Sequence, residues 1–260
     1  MMVAQGPNPN RFFGRRKGKA IKGSRQVLME RLLPRVALAP PAGALDLTRA
    51  FGVAPKAVYL EIGFGGGEHL AELSRRHPDI GFIGAEPFLN GVASLLAHLN
   101  GSHLKQAAHA QLDAGRADNV RVWPDDIRLL FPFCADGAFE RIYILYPDPW
   151  PKARHAGRRF VNPKNIADLH RLLSARGRVI VATDVADYAG WALDQMARSG
   201  LFEPENADVH APPPGWVETR YEKKGLAAGR APSYLIFRKK KPVGKKGLDL
   251  SVKKVHNAIE

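Results

Sequence analysis

The chain has 260 residues, of which 45% are hydrophobic, enough to build one substantial core. No apolar run approaches the ~20 residues needed to span a bilayer, and no apolar segment of signal-peptide type follows the basic N-terminus, so a cytoplasmic protein without a membrane partner is expected. A formal net charge of +14 points to a polyanionic partner, nucleic acid foremost, while the single cysteine, Cys134, excludes an internal disulfide and a cysteine-based zinc site. The charge is clustered. Residues 1–29 hold seven Lys/Arg and no acid, residues 238–254 hold eight against Asp249 alone, and a third cluster runs from Lys152 to Arg159.

Residues 1–26 are rich in Gly, Asn, Arg and Lys without apolar periodicity, which predicts an arm disordered until it meets a polyanion. Phe12 and Phe13 interrupt its charge, either to stack on bases or to anchor the arm to the domain. Val27–Leu33 reads as a short helix ended by Pro34, and Val36–Leu45 as a Pro/Ala-rich linker. The division expected is a basic arm and linker over 1–50, one domain over 51–240 and a basic tail over 241–260.

From Ala57 the pattern becomes regular. A first strand, Ala57–Ile62, runs into Gly63-Phe64-Gly65-Gly66-Gly67 and a helix over Glu68–Arg76. A second strand, Ile80–Ala85, ends at Glu86-Pro87 and precedes a helix over Val92–Leu99. A third strand, Val120–Trp123, ends at Pro124-Asp125-Asp126. The fourth, Arg141–Leu145, is stopped by Tyr146-Pro147-Asp148-Pro149-Trp150-Pro151, because proline gives a sheet no N–H and pushes the residue before it away from helix. Asn162 caps a helix over Pro163–Leu173 with proline at its first position. A fifth strand, Arg178–Thr183, ends at Asp184, a helix spans Ala186–Ala197, and after a hydrophilic, Pro-rich stretch a last strand covers Ser233–Arg238.

Strands alternating with helices predict an α/β fold with a mainly parallel sheet, and right-handed crossovers bring the strand C-termini to one edge. Those ends carry Glu61, Glu86, Asp125/Asp126, Asp148 and Asp184. An acid at each end has no structural necessity, whereas a ligand site on the shared edge explains it. The glycine loop fits two ligands, a dinucleotide or S-adenosyl-L-methionine. The spacing is G-x-G-x-G, and Glu61 and Glu68 flank it, which suits a cationic ligand better than a pyrophosphate. Glu86 suits a ribose diol in either case. No Gly-Lys-Ser/Thr follows, so a P-loop is excluded. The nine histidines show no metal-ligand spacing, and no metal is expected.

The segment Phe13–Lys19, Glu61-Ile62-Gly63-Phe64-Gly65, Gly84-Ala85-Glu86, Pro147-Asp148-Pro149-Trp150-Pro151-Lys152-Ala153-Arg154-His155 with Arg158-Arg159, Ala182-Thr183-Asp184 and Thr219-Arg220-Tyr221-Glu222 together resemble the bacterial tRNA (guanine-N7)-methyltransferases over roughly residues 10–240. The proline-flanked Asp-Trp block is the most specific part. Ala85, where the family has a larger aliphatic residue, and the basic tail are departures that leave the chemistry untouched. The resemblance implies a Rossmann-like class I methyltransferase fold, an α/β architecture with a mainly parallel seven-stranded sheet and helices on both faces. It implies methyl transfer from S-adenosyl-L-methionine to N7 of a guanosine in the tRNA variable loop. It also implies cofactor contacts at Glu61, Gly63, Gly65, Glu86, Asp126 (rather than Asp125) and Asp148, with Asp148 catalytic, and substrate contacts at Lys152, Asp184, Thr219, Arg220, Tyr221 and Glu222. Monomer and homodimer both remain open.

From the residues themselves, guanine N7 has a lone pair and no proton to lose, so positioning matters more than a general base. Carboxylates suit guanine's N1–H and N2–H2 donors. Trp150 either stacks on a base or packs beneath its loop, the packing being favoured, and Arg158 and Arg159 read as phosphate contacts or as a solvated face. The competing function is a basic nucleic-acid-binding protein with a non-catalytic nucleotide-binding Rossmann-like fold.

Overall fold

The computed structural model of the chain describes residues 13–101 and 118–240. The tail expected over 241–260 and the first part of the basic arm, Arg11 and Phe12 included, lie outside the described residues.

Three short helices come first: α1 (Ser24–Arg31), α2 (Leu33–Val36) and α3 (Leu47–Phe51). Then follow β1 (Val58–Ile62), α4 (Glu68–Arg76), β2 (Gly81–Ala85), α5 (Leu89–Leu99), β3 (Val120–Trp123) and β4 (Phe139–Leu145). The described residues continue with α6 (Pro163–Leu172), β5 (Leu173–Thr183), α7 (Ala186–Ser199), β6 (Phe202–Pro204), α8 (Arg220–Ala227) and β7 (Ser233–Lys239). The seven strands form one sheet in the order β3-β2-β1-β4-β5-β7-β6. The pairs from β3 to β5 are parallel, and β7 runs antiparallel to both β5 and β6. This is the expected mainly parallel, seven-stranded α/β sheet.

β1 and β2 are buried at every position, as central parallel strands must be when both faces are covered. One face carries a core of Leu28, Leu70, Leu73, Val92, Leu95 and Leu96 from α1, α4 and α5. The other carries Phe51, Ile166, Leu169, Tyr188, Ala192 and Met196 from α3, α6 and α7. The order reverses direction at β1, whose neighbours are β2 and β4, so a crevice opens beyond the carboxyl ends of those strands.

The structure corrects several expectations. Pro34 does not end a helix; it lies in the first turn of α2, where its missing N–H has no intrahelical partner to lose. The linker over 36–45 is tied down. Leu38 N donates to Val122 O and Leu45 N to Phe133 O, and Leu38 joins the core. Strand β5 begins at Leu173 rather than Arg178, because a register irregularity lets it pair with Phe139 before the apolar run starts. The hydrophilic stretch after residue 200 contains β6 and α8.

The arm expected to be disordered is docked from residue 13 onward. Arg16 O accepts from Leu89 N at 3.0 Å. Asn90 accepts from Gly18 N at 2.8 Å and donates to Lys19 O at 2.7 Å. These bonds satisfy groups at the start of α5 that have no intrahelical partner.

Candidate active site

The crevice at the β1–β4 switch point holds a cavity of about 560 Å³. That is the size range of small-molecule and cofactor sites. The segments that follow β1, β2, β3 and β4 contribute walls, and the end of β5 does not.

After β1 the chain turns through Gly63 (φ 71°), Gly65 (φ 55°) and Gly67 (φ 79°), a left-handed path that side-chain-bearing residues rarely take. Gly63 and Gly65 line the cavity. The first turn of α5 presses on this loop so closely that a Cβ at Gly91 would lie 2.3 Å from Gly65 O. Glu61 is 2% exposed, does not line the cavity, and bonds His69 Nδ1 of α4 at 2.7 Å behind the loop. The rings of Tyr143 and Trp216 stand 5.0 and 5.1 Å from that imidazole.

Glu86, after β2, lines the cavity and accepts hydrogen bonds from Gly65 N at 2.8 Å and Phe88 N at 2.9 Å. Burial raises its carboxyl above the ordinary range; the two backbone donors oppose that, and the nearby charges of Asp148 and Glu61 reinforce it. After β3, Asp126 lines the cavity and its carboxylate is gripped by Arg128 Nε and Nη2. Asp125 faces the arm instead and accepts from Arg16 Nη2 at 2.5 Å. Geometry therefore favours the second of the two adjacent acids as a cavity group.

After β4 comes the proline loop. Tyr146 (φ 50°) and Trp150 (φ 42°) both adopt left-handed conformations without being glycine. Each costs on the order of 1–3 kcal/mol and persists only where the surroundings enforce it. Asp148, between them, is exposed and lines the cavity. Trp150 is half-buried at the cavity wall rather than packed beneath the loop. It stands edge-on to Phe13 at 6.3 Å, and the exposed Arg158 guanidinium lies over both rings, at 4.6 Å from Phe13 and 5.0 Å from Trp150. Phe13, Gly14 and Arg15 close the cavity on that side, so Phe13 anchors the arm.

Arg159 is not on a solvated face. It is 9% exposed, lines the cavity, donates from Nε to Pro149 O at 2.9 Å and lies over the Trp191 indole at 4.8 Å.

The expected substrate residues divide. Tyr221 is 55% exposed and lines the cavity, stacked on Tyr146 with ring centroids 6.5 Å apart. Thr219 and Glu222 are buried and form a capping box at the start of α8. Glu222 also accepts from Trp216 Nε1 at 2.9 Å and from the Tyr234 hydroxyl at 2.5 Å. Asp184 is half-buried and accepts from Arg230 Nε at 2.7 Å. Lys152 and Arg220 are exposed and do not line the cavity.

Sequence reasoning missed His69, Trp216 and Tyr234. A histidine eight residues after Glu61 carries no motif, and the pair exists only because α4 folds back over β1. Among the described residues, no three His/Cys/Asp/Glu side chains gather in a way that would hold a metal ion, and no helix is long and apolar enough to cross a membrane.

A family model described as "Putative methyltransferase" matches residues 55–234. The chain is 44% identical to the tRNA (guanine-N(7)-)-methyltransferase of Paramagnetospirillum magneticum over 234 residues, covering 88% of this chain and 93% of that one. It is 42% identical to the enzyme of the same name from Rhodospirillum rubrum over 238 residues, 88% of each chain. A third such enzyme, from a Chelativorans species, is 42% identical over 232 residues, 87% of this chain and 94% of its own.

Proposed function

The chain belongs to the tRNA (guanine-N(7)-)-methyltransferase family, and on that premise we propose that it transfers the methyl group of S-adenosyl-L-methionine to N7 of a guanosine in tRNA, forming 7-methylguanosine. The observation that carries this reading is a single cavity bounded by the glycine loop, by Glu86 and by the strained loop that presents Asp148. The +14 charge and the exposed Lys152, Arg154 and Arg158 beside the cavity suit a polyanionic substrate. The same substrate suits a cytoplasmic protein. The variable loop is the tRNA region we propose as the target.

The residues fit S-adenosylmethionine. Gly63 and Gly65 allow close approach of the ligand, Glu86 at the β2 end suits a ribose diol, and Asp126 lines the same wall as Glu86. Glu61, buried behind the loop, would contribute negative charge toward a cationic ligand held there. When bound, the cofactor supplies a methyl group activated on a cationic sulfur. We assign no metal.

The protein's part is positioning. Guanine N7 needs no deprotonation, so no residue has to act as a base on it. Alignment of two reacting groups at near-attack distance contributes ~7–11 kcal/mol in favourable cases. Asp148 can accept hydrogen bonds from guanine N1–H and N2–H while its charge stabilises the base as it becomes cationic. Tyr221, exposed at the mouth and already stacked on Tyr146, offers a face to an extruded base. Lys152, Arg220 and the neighbouring arginines then take phosphates, which fix register without reading sequence. Asp184, Thr219 and Glu222 we assign to the substrate side as the groups that hold α8, and with it Tyr221, against the cavity.

The test is transfer of labelled methyl from S-adenosylmethionine to unmodified tRNA, followed by nucleoside mapping. The expected product is 7-methylguanosine at one variable-loop position. Label on another base atom, or none on tRNA, overturns the reading. Stabilisation by NAD but not by S-adenosylhomocysteine in a thermal-shift assay would revive the non-catalytic alternative.

A further inference from the structure

The loop that carries Asp148 has an unusual problem. Two non-glycine residues in left-handed conformations, Tyr146 and Trp150, bracket the aspartate, and each is followed by a proline that further restricts it. Such a path does not hold itself. Something outside the loop must fix the carbonyls that the turns leave without partners.

Arg159 occupies that position. Its Nε donates to Pro149 O at 2.9 Å and its Nη2 reaches Trp150 O at 3.4 Å, the two residues that follow Asp148. Arg159 as a whole is 9% exposed, yet among the described residues no carboxylate pairs with it. A largely covered arginine retained without an acid is explained by the neutral groups it holds, since its fixed fork of donors can span adjacent carbonyls where a lysine cannot. The fork is itself fixed. The Trp191 indole of α7 lies under it at 4.8 Å, and Trp191 Nε1 donates to Val161 O at 2.6 Å. The backbone of Arg159 is tied at both ends, through its N–H to Ala156 O and through its carbonyl to Asn162 Nδ2 at 2.9 Å. Asp148 and Arg159 both line the cavity, and the charges of both act on the hydroxyl of the buried Tyr188 of α7.

We propose that Arg159 is a positioning residue for Asp148: clamped by Trp191, it holds the Pro149 and Trp150 carbonyls and thereby aims the aspartate into the cavity. This rests on the assignment of Asp148 to guanine recognition above. Arg159 acts through the loop and contacts no reacting atom.

A double-mutant cycle tests it, with Arg159→Met, Asp148→Ala and the pair, read as kcat and KM for tRNA and as the Kd of S-adenosylhomocysteine. Arg159→Met is expected to lower kcat about 100-fold, the scale of an ångström misplacement, with the KM for tRNA changed less than about threefold. On top of Asp148→Ala it is expected to cost less than about threefold more, because the two changes remove one interaction. Arg159→Lys, which keeps charge and stem but not the fork, should fall at least about 10-fold in kcat and serves if the Met variant does not fold. Trp191→Phe should show a smaller kcat defect in the same direction. Full additivity in the cycle, or unchanged kcat in both Arg159 variants, overturns the proposal. An Asp148→Ala enzyme of normal activity overturns the Asp148 assignment instead, and a wild-type protein inactive on tRNA overturns the proposed function.

Discussion

The Glu61 carboxylate and the His69 imidazole meet at 2.7 Å, both only 2% exposed, directly behind the glycine loop. An ionised carboxylate can only accept, so His69 Nδ1 donates, and the tautomer is fixed by the partner. The imidazole is held in turn between the Tyr143 and Trp216 rings.

Removing that donor leaves Glu61 buried without its partner, which costs about 1–3 kcal/mol. His69→Leu should therefore lower the melting temperature and weaken S-adenosylhomocysteine binding about 10-fold, the equivalent of ~1.4 kcal/mol within that cost. His69→Asn puts an amide donor near the Nδ1 position and should recover most of the affinity. Calorimetric titration of both variants decides it. Equal affinity in the Leu variant and wild type would remove Glu61 from the cofactor site.

Asp148→Ala should lower kcat at least about 100-fold while tRNA affinity changes little. The exposed cations beside it, Lys152, Arg154 and Arg158, remain to hold phosphates. Single-turnover methylation and a filter-binding assay, run in parallel, separate the two effects.

Glu86 predicts a pH dependence. Burial raises its carboxyl above the ordinary 4.5, so it takes up a proton as pH falls sooner than a solvated glutamate would. In the ribose contact proposed above, the ionised form would accept from the hydroxyls, and the protonated form would lose part of that capacity. Cofactor affinity should thus be full at neutral pH and decline on acidification at a pH above 4.5, with Glu86→Gln flattening the profile. Equilibrium dialysis of S-adenosylhomocysteine across the acid range measures it.

Glu222→Ala should destabilise the protein by roughly 2–4 kcal/mol. It strands the Tyr234 hydroxyl and the Trp216 indole N–H and breaks the capping box of α8. A substrate contact alone would leave the melting temperature unchanged, so thermal unfolding discriminates between the two roles.

Deleting residues 1–22 removes six Lys/Arg together with the Phe13 wall of the cavity. Affinity for tRNA should fall and its salt dependence become shallower, since fewer counterions are released on binding. Because Phe13, Gly14 and Arg15 line the cavity, cofactor affinity should drop as well. A loss confined to tRNA would mean that the arm serves the polyanion alone.

Much of this molecule is legible in the chain itself. Apolar runs of four to six residues fix strands β1 to β5 and β7, with glycine or proline within two residues closing β1 to β4, because a strand covered on both faces must be largely apolar and ends where its hydrogen-bonding capacity ends. The alternation of β1 to β5 with helices sends their carboxyl ends to one edge, which brings Glu86, Asp126 and Asp148 together around the glycine loop, while β7 enters antiparallel to β5. The prolines around Asp148 announce a stiff loop. What periodicity cannot carry is the partnership of groups distant in sequence. β6 and α8 lie in a polar stretch without a pattern, and they form because β7 and the Trp216, Tyr234 and Glu222 cluster give them something to pack on. Whether a charged residue faces water or a carbonyl depends on what folds against it. Arg158 and Arg159 are adjacent and chemically identical, yet one lies exposed over two aromatic rings and the other is largely covered and bonded to the proline loop that carries Asp148. Only α7, arriving with Trp191, decides between them.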